Sequence, residues 1–169
     1  MMKVLVGYPS EEEEFVIVQR VTGAAHEVAA VATTDQLAAL QRECRMGYVD
    51  PSLMQYAVRL VAATRDPEKF GVKDVGRYIT YGASPRATIH LIEGARALAF
   101  LRGRSYVLPE DVTDLTPDVL RHRLSLSYEA LADALTADQL IHRIMQHVPA
   151  PEKPLEAHVA VERYAPSNA

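Results

Sequence analysis

The amino-acid sequence predicts an all-α domain, a helical bundle with at most a minor pair of short strands. Three observations lead to this fold class. The chain of 169 residues is 49% hydrophobic, and its abundant alanine, leucine and arginine favour helices. Apolar residues recur at helical spacing in several segments, and residues that cap helix N-termini precede them. A chain of this length and apolar content can bury one core, so we expect one helical domain.

The first nine residues differ from the rest of the chain. Residues 1–9 contain the β-type run MKVLVGYP, which ends at Gly7 and Pro9. A lone strand is not stable, so we interpret this segment as the remnant of a strand from a sheet outside the chain. Ser10 then begins a helix, with Glu13 placed to complete a capping box.

An all-α domain is predicted over residues 10–149. After the first helix, a second is expected from Thr34 to Met46, and a third begins at Asp50 and Pro51. A central helix is predicted from Arg86 to Arg102. The remaining helices are expected in the segments LPEDV, TPDVLRHRL, SYEALADAL and TADQLIHRIMQHV.

Two further predictions concern the non-helical parts of the chain. The irregular stretch before the central helix ends in Tyr78 to Tyr81, which we expect to pair weakly with Tyr106 to Leu108. Residues 150–169 are rich in proline and lack periodicity, and we interpret them as a flexible C-terminal tail.

The start of the central helix carries a charge of the wrong sign. Ser84 is a suitable N-cap and Pro85 suits the first helical position, but Arg86 follows in the first turn. The helix dipole disfavours a cation there by roughly 0.3–1 kcal/mol. An anion brought to Arg86 would reverse this penalty. The alternative is that Arg86 is simply exposed, or pairs with a carboxylate elsewhere in the chain.

Composition excludes several functions. The net charge is −4, whereas a general nucleic-acid binder usually has a basic face. Cys44 is the only cysteine, which excludes an internal disulfide and favours the reduced cytoplasm. No apolar run approaches the roughly 20 residues of a membrane span. Although His90 and Glu93 could share a helix face, a metal site needs more ligands, and none is predicted.

Three other arginines are candidate interface residues. Arg121 and Arg123 lie between leucines in the segment VLRHRL, and Arg65 lies in AATRDP. Such a basic cluster can bind an anion or a partner subunit. It can equally be a solvated face, and the residues alone do not decide between the two.

Several segments together resemble the C-terminal part of MoxR-family AAA+ ATPases. They are KVLVGYPSEEEE, AATRDP, YGASPRATIHLIEGARALAFLRGRSYVLPEDV, TPDVLRHRLSLSYEAL and QHVPAP, and they cover roughly Lys3 to Pro151. The resemblance implies that the chain is the all-α lid that follows a nucleotide-binding core. GASPRA matches the family's sensor-2 motif, so Ser84, Pro85 and Arg86 would form a site at which Arg86 reaches the γ-phosphate of ATP.

The resemblance also implies what this chain lacks. The phosphate loop GxxxxGK[ST] and the acids that hold Mg²⁺ are absent from the sequence, and in the family they lie in the core. We therefore expect a C-terminal fragment that is inactive alone and binds no cofactor tightly, with ATP and Mg²⁺ as cofactors of the intact protein.

The partners implied by the resemblance are the AAA+ core, the neighbouring subunits of a hexameric ring and proteins with von Willebrand A domains. The implied role is chaperone-like maturation of client proteins or insertion of their cofactors. Two other functions remain open. One is a stand-alone helical adaptor that binds a protein and never meets nucleotide. The other is a DNA-linked AAA+ lid, which the acidic balance disfavours.

Overall fold

A computed structural model of the chain describes residues 1–23 and 28–152. Within these ranges the structure is mainly helical, as predicted, with two short 3-10 helices at Pro67–Phe70 and Gly76–Tyr78. The α-helices are α1 (Glu11–Thr22), α2 (Thr34–Arg45), α3 (Pro51–Ala63), α4 (Pro85–Leu101), α5 (Pro109–Leu120), α6 (Tyr128–Ala132) and α7 (Ala137–His147). Most of the predicted tail, residues 153–169, lies outside the described residues.

The core lies where α3, α4, α5 and α7 meet. α4 packs against α2, α3 and α5, and α5 also packs against α7. Gly94 allows α4 to approach α5 closely, since a Cβ there would lie 3.1 Å from Cδ1 of Leu115. The largest fully buried side chains are aliphatic: Leu53, Leu60, Val61, Val75, Leu91, Val107, Val112, Val119, Leu120, Leu140, Ile141 and Ile144. Burial of such side chains is the main favourable contribution to folding.

The predicted helix starts are largely confirmed. The Ser10 side chain accepts from the Glu13 N–H, while the Glu13 carboxylate accepts from the Ser10 N–H at 2.8 Å. The cap of α2 is Thr33, one residue before the predicted Thr34, because Gln36 completes a capping box with Thr33. These reciprocal bonds satisfy N–H groups that a helix leaves without intrahelical partners.

The N-terminal segment, which the sequence predicts to be the remnant of a strand from a sheet outside the chain, is in neither helix nor strand over residues 1–10. No strand among the described residues pairs with them, and an unpaired strand leaves its N–H and C=O groups without partners. Instead, the Lys3 N–H donates to the Asp118 carbonyl at 2.8 Å, so the N-terminal backbone follows the end of α5.

The predicted strand pairing is wrong in its partner. β1 (Ile79–Tyr81) pairs antiparallel with β2 (Ser125–Leu126), not with Tyr106 to Leu108. The latter segment is held elsewhere, since the Val107 N–H donates to the Tyr48 carbonyl at 2.9 Å. The contact with Tyr48 places it beside the start of α3.

Pro117 does not separate two helices, although the sequence predicted a new one there. It lies inside the continuous helix α5. A proline costs the helix one backbone hydrogen bond, but buried Leu115 and Val119 flank it. Their packing keeps the chain helical through the proline.

Among the described residues, no helix is both long and apolar enough to cross a membrane.

A buried carboxylate fixes the connection between α4 and α5. The Asp111 side chain is fully buried and accepts two hydrogen bonds from Arg104, at 2.6 and 2.7 Å, and one from Arg102 at 2.8 Å. It also accepts the Leu108 N–H at 2.8 Å. Burial alone would raise the pKa of Asp111, but the bonds from Arg104 and from the Leu108 N–H outweigh it, so the pKa is lowered.

The Asp111→Asn substitution should destabilise the domain by about 2–4 kcal/mol, because the guanidinium groups of Arg102 and Arg104 lose the carboxylate that holds the connection between α4 and α5. Asp114→Asn is the matched control, since Asp114 pairs with Arg102 at the surface and should cost at most about 1 kcal/mol. Urea unfolding of both variants measures the difference. If both variants lost the same free energy of unfolding, Asp111 would not be what fixes the connection between α4 and α5.

The lowered pKa of Asp111 also predicts how the stability of the domain depends on pH. This pKa is lower in the folded chain than its usual value of 3.8, so the contribution of Asp111 to the free energy of unfolding is fully present above that value. The contribution is lost as the pH falls through the lowered folded pKa. The stability difference between the native chain and Asp111→Asn should therefore narrow below about pH 4. Urea unfolding at pH 3 and pH 7 tests this, and a difference that widens in acid would refute it.

Candidate functional site

The first turn of α4 lacks the side-chain cap that most other helices have. Ser84 has the extended backbone of an N-cap residue, with φ −74° and ψ 164°, and Pro85 occupies the first helical position. The Ser84 hydroxyl, however, makes no capping hydrogen bond. Ser84 is thus the N-cap residue, as predicted, but it lacks the side-chain bond that an N-cap serine commonly makes.

Arg86 is exposed in this first turn, together with Ser84 and Pro85. No acidic residue lies in the first turn of α4. Within the described ranges, Arg86 has neither a hydrogen bond nor an ion pair through its side chain. The alternative that Arg86 pairs with a carboxylate elsewhere thus finds no support in this part of the chain, and the guanidinium faces solvent at the positive end of the helix.

The position of α4 depends on Thr64, which is 1% exposed at the C-terminal end of α3. Its hydroxyl donates to the Val61 carbonyl at 2.7 Å and accepts the Ala83 N–H at 2.9 Å. This side chain therefore connects the end of α3 to the residue before Ser84. We call the contact between Thr64 and Gly82–Ala83 the α3–α4 joint.

Gly82 makes this close contact feasible. A Cβ at Gly82 would overlap the carbonyl of Thr64 and lie 2.7 Å from the Arg65 nitrogen. Both neighbours are backbone atoms, which cannot move aside as the end of a flexible side chain can. Only glycine, which has no Cβ, fits here without a shift of the backbone.

The joint also brings the region of Arg65 to the start of α4. Arg65 follows Thr64 directly, is exposed, and makes no ion pair with the described residues. Two exposed arginines that are far apart in sequence thus flank one joint. The sequence singles out Arg65 and Arg86, each in a different segment. Thr64 and Gly82 cannot be recognised from it, since one is an ordinary threonine and the other is one of several glycines.

Arg121 and Arg123 make contacts within the chain. Arg121 pairs with Asp118, donates from Nε to Asp138 at 2.9 Å, and donates to the Lys3 carbonyl at 2.6 Å.

Arg123 donates to the carbonyls of Val119 at 2.8 Å and Met1 at 3.2 Å. Both arginines hold the N-terminal backbone against the end of α5, and their role in an interface stays a prediction.

The described residues contain no cluster of three or more side chains suited to a metal ion. His90 and Glu93 do share a face of α4, with 3.4 Å between His90 Nδ1 and Glu93 Oε2. Two ligands do not form a metal centre, so this pair is a surface contact.

Comparison with known proteins defines the class of the domain. The family model of the AAA lid domain matches residues 72–154, which include β1, α4, α5, α6 and α7. The structure is also similar to the crystal structure of a candidate ATPase from Cytophaga hutchinsonii, which is 35% identical in sequence. The two match with a TM-score of 0.85, and the match covers 90% of this chain and 47% of that one. Helices α4 to α7, including the first turn of α4 with Arg86, therefore lie in an AAA lid domain.

Curated relatives identify the family more narrowly. Chaperone MoxR1 of Mycobacterium tuberculosis is 44% identical over 152 residues, which are 90% of this chain and 40% of that protein. Protein MoxR of Paracoccus denitrificans is 38% identical over 110 residues, 62% of this chain and 32% of the relative. The chain belongs to the MoxR family of AAA+ ATPases, as the lid region, and it spans less than half the length of these relatives.

The joint predicts a sharp difference between two glycines. Gly82→Ala should destabilise the domain by about 2 kcal/mol or more, because the new methyl overlaps the Thr64 carbonyl. Gly76→Ala is the matched control, since a Cβ at Gly76 meets no atom within 4 Å. Thermal unfolding of both variants gives the comparison. A Gly82→Ala variant as stable as Gly76→Ala would show that the joint tolerates a side chain.

Proposed function

We propose that the chain is the lid that closes over ATP and Mg²⁺ bound to an AAA+ core, with Arg86 as the sensor-2 residue that contacts the γ-phosphate. The observation that carries the proposal is the exposed Arg86, without an ion-pair partner among the described residues, in the first turn of α4. Membership of the MoxR family, in which this motif lies at the same place, supports the same function.

The chemistry of the site suits a phosphate. The positive end of the helix dipole and the Arg86 guanidinium repel each other, but both attract an anion. A phosphate bound between them would therefore offset their repulsion. A guanidinium can also donate two parallel hydrogen bonds to phosphate oxygens. Ser84 and Pro85 shape the approach to this end of α4. The phosphate loop and the ligands of Mg²⁺ would come from the core.

The α3–α4 joint gives a route from nucleotide to lid. Because Thr64 and Gly82 fix the start of α4 against α3, a phosphate that draws Arg86 toward the core must move both helices together. Loss of the γ-phosphate on hydrolysis removes the contact and allows the lid to relax. In this way, bound nucleotide and lid position are coupled through a differential contact, as any ligand-driven change requires.

The wider biological role is a further part of the proposal. We propose that the intact protein hydrolyses ATP in a hexameric ring in the cytoplasm and passes lid motion to client proteins, in a chaperone-like maturation or cofactor insertion. Proteins with von Willebrand A domains are the proposed partners. The name Chaperone MoxR1 supports a chaperone-like role, and the proposal includes neither nucleic acid nor a membrane span.

Arg86→Ala should reduce ATP hydrolysis at least about tenfold in a protein that contains both an AAA+ core and this lid, because one charged donor to the γ-phosphate is lost. Arg86→Lys should restore little, since an ammonium does not reproduce the planar guanidinium. Steady-state release of inorganic phosphate measures the effect. The chain by itself should not hydrolyse ATP, with or without Arg86.

The control variant is Arg143→Ala, which removes an exposed arginine on α7, and its activity should be unchanged. The isolated chain with Arg86→Ala should melt at the same temperature as the native chain or slightly higher, because a cation leaves the helix start. Full hydrolysis by the Arg86→Ala protein would end the sensor-2 assignment and favour the helical adaptor that never meets nucleotide.

A further inference from the structure

An open apolar groove of about 650 Å³ lies between α2 and α4, away from the α3–α4 joint. Its apolar lining comes from both helices and from the N-terminal residue: Leu37, Leu40 and Cys44 on α2, Ala97, Phe100 and Leu101 on α4, and Met1. Several of these side chains face solvent: Leu37 is 54% exposed, Leu40 46% and Leu101 80%. Exposed leucines gathered in one groove are a common feature of binding surfaces.

Arg96 gives the groove a specific chemical requirement. Its Nε atom is buried and has no hydrogen-bond partner among the described residues. A buried donor of a charged group without a partner is costly, and a carboxylate is the acceptor that fits a guanidinium best. Arg96 also lines the groove, so the charge of its guanidinium would be complemented by an acidic ligand.

The other charges of the groove point the same way. Arg45 also lines it, is exposed, and forms no ion pair within the described ranges. Glu93 is the acidic residue of the described lining, and it already contacts His90 at 3.4 Å. The lining thus carries two arginines, Arg45 and Arg96, and one glutamate that also contacts His90. This excess of positive charge complements an acidic partner and repels a basic one.

The walls of the groove restrict the backbone of the partner. Both walls are helices, whose backbone groups are bonded within each helix, so neither offers a strand edge to which an extended peptide could add. A partner that lies on apolar side chains must satisfy its own N–H and C=O groups. An α-helix does so. The lining covers about two helical turns, since residues 37–44 extend roughly 10 Å along α2.

We propose that this groove binds an amphipathic helix of a partner protein, with apolar side chains inserted between α2 and α4 and one aspartate or glutamate paired with Arg96. The site is separate from Arg86, which lies ten residues earlier on α4, roughly 15 Å along the helix axis. It is a protein-docking surface on the lid, in addition to the proposed contact with nucleotide.

Cys44 provides a direct readout of occupancy, because it is the only cysteine of the chain and lines the groove. The probes are synthetic 16-residue amphipathic helices with leucine at i, i+3, i+4 and i+7. One glutamate is moved through every position that borders the leucine face, and a second set carries glutamine in its place. The measurement is the rate at which the Cys44 thiol reacts with a disulfide reagent in the full chain.

At least one glutamate peptide should slow the reaction of Cys44 at least about fivefold at saturation. The matching glutamine peptide should bind about tenfold more weakly, and Arg96→Gln should weaken the glutamate peptide by a similar factor. Leu40→Ser should remove protection. The matched control is Leu131→Ser, on α6 and 67% exposed, which should leave protection unchanged. Circular dichroism establishes that each variant is folded.

Other outcomes would overturn the proposal. If no peptide protects Cys44, or if glutamine peptides and Arg96→Gln behave like their charged counterparts, the groove does not select an acidic helix. Protection without peptide that grows with protein concentration and disappears in Leu40→Ser would show that a second copy fills the groove. Protection without peptide that disappears when the chain ends at Glu152 would assign the groove to the chain's own tail.

Discussion

The hydroxyl of Thr64 is bonded at once to the Val61 carbonyl of its own helix and to the Ala83 N–H before the next one. Gly82 allows this contact, because its neighbours leave no space for a Cβ. The direction of α4, and with it the place of Arg86, depends on these few atoms. A buried hydrogen bond of this kind contributes only about 1 kcal/mol to stability, but it determines where the side chain proposed to contact nucleotide is presented.

The other end of α4 is fixed by a different interaction. The Asp111 carboxylate, bonded to Arg102 and Arg104, holds the connection between α4 and α5. With small residues such as Gly94 at the contact between these two helices, α4 is packed along its length and fixed at both ends. A force applied at Arg86 is therefore expected to move the helical unit as a whole, and the groove beside Arg96 moves with it.

The sequence was a good guide to local structure and a poor one to contacts distant along the chain. The capping box of Ser10 and Glu13 was predicted correctly, because it depends on residues three apart. The partner of β1 was not, because strand pairing is set by how helices pack between the strands. Exposed Arg86 could be singled out, since its charge opposes the helix dipole. The role of Gly82 could not, since only the folded chain brings it against Thr64.

The role proposed for Arg86 is tested most directly by a crystal structure of a protein that contains both the AAA+ core and this lid, bound to Mg²⁺ and a non-hydrolysable ATP analogue. An Arg86 guanidinium nitrogen should lie about 3 Å from a γ-phosphate oxygen, with the Thr64–Ala83 hydrogen bond intact. A structure with the analogue bound, the lid closed and Arg86 still facing solvent would contradict it.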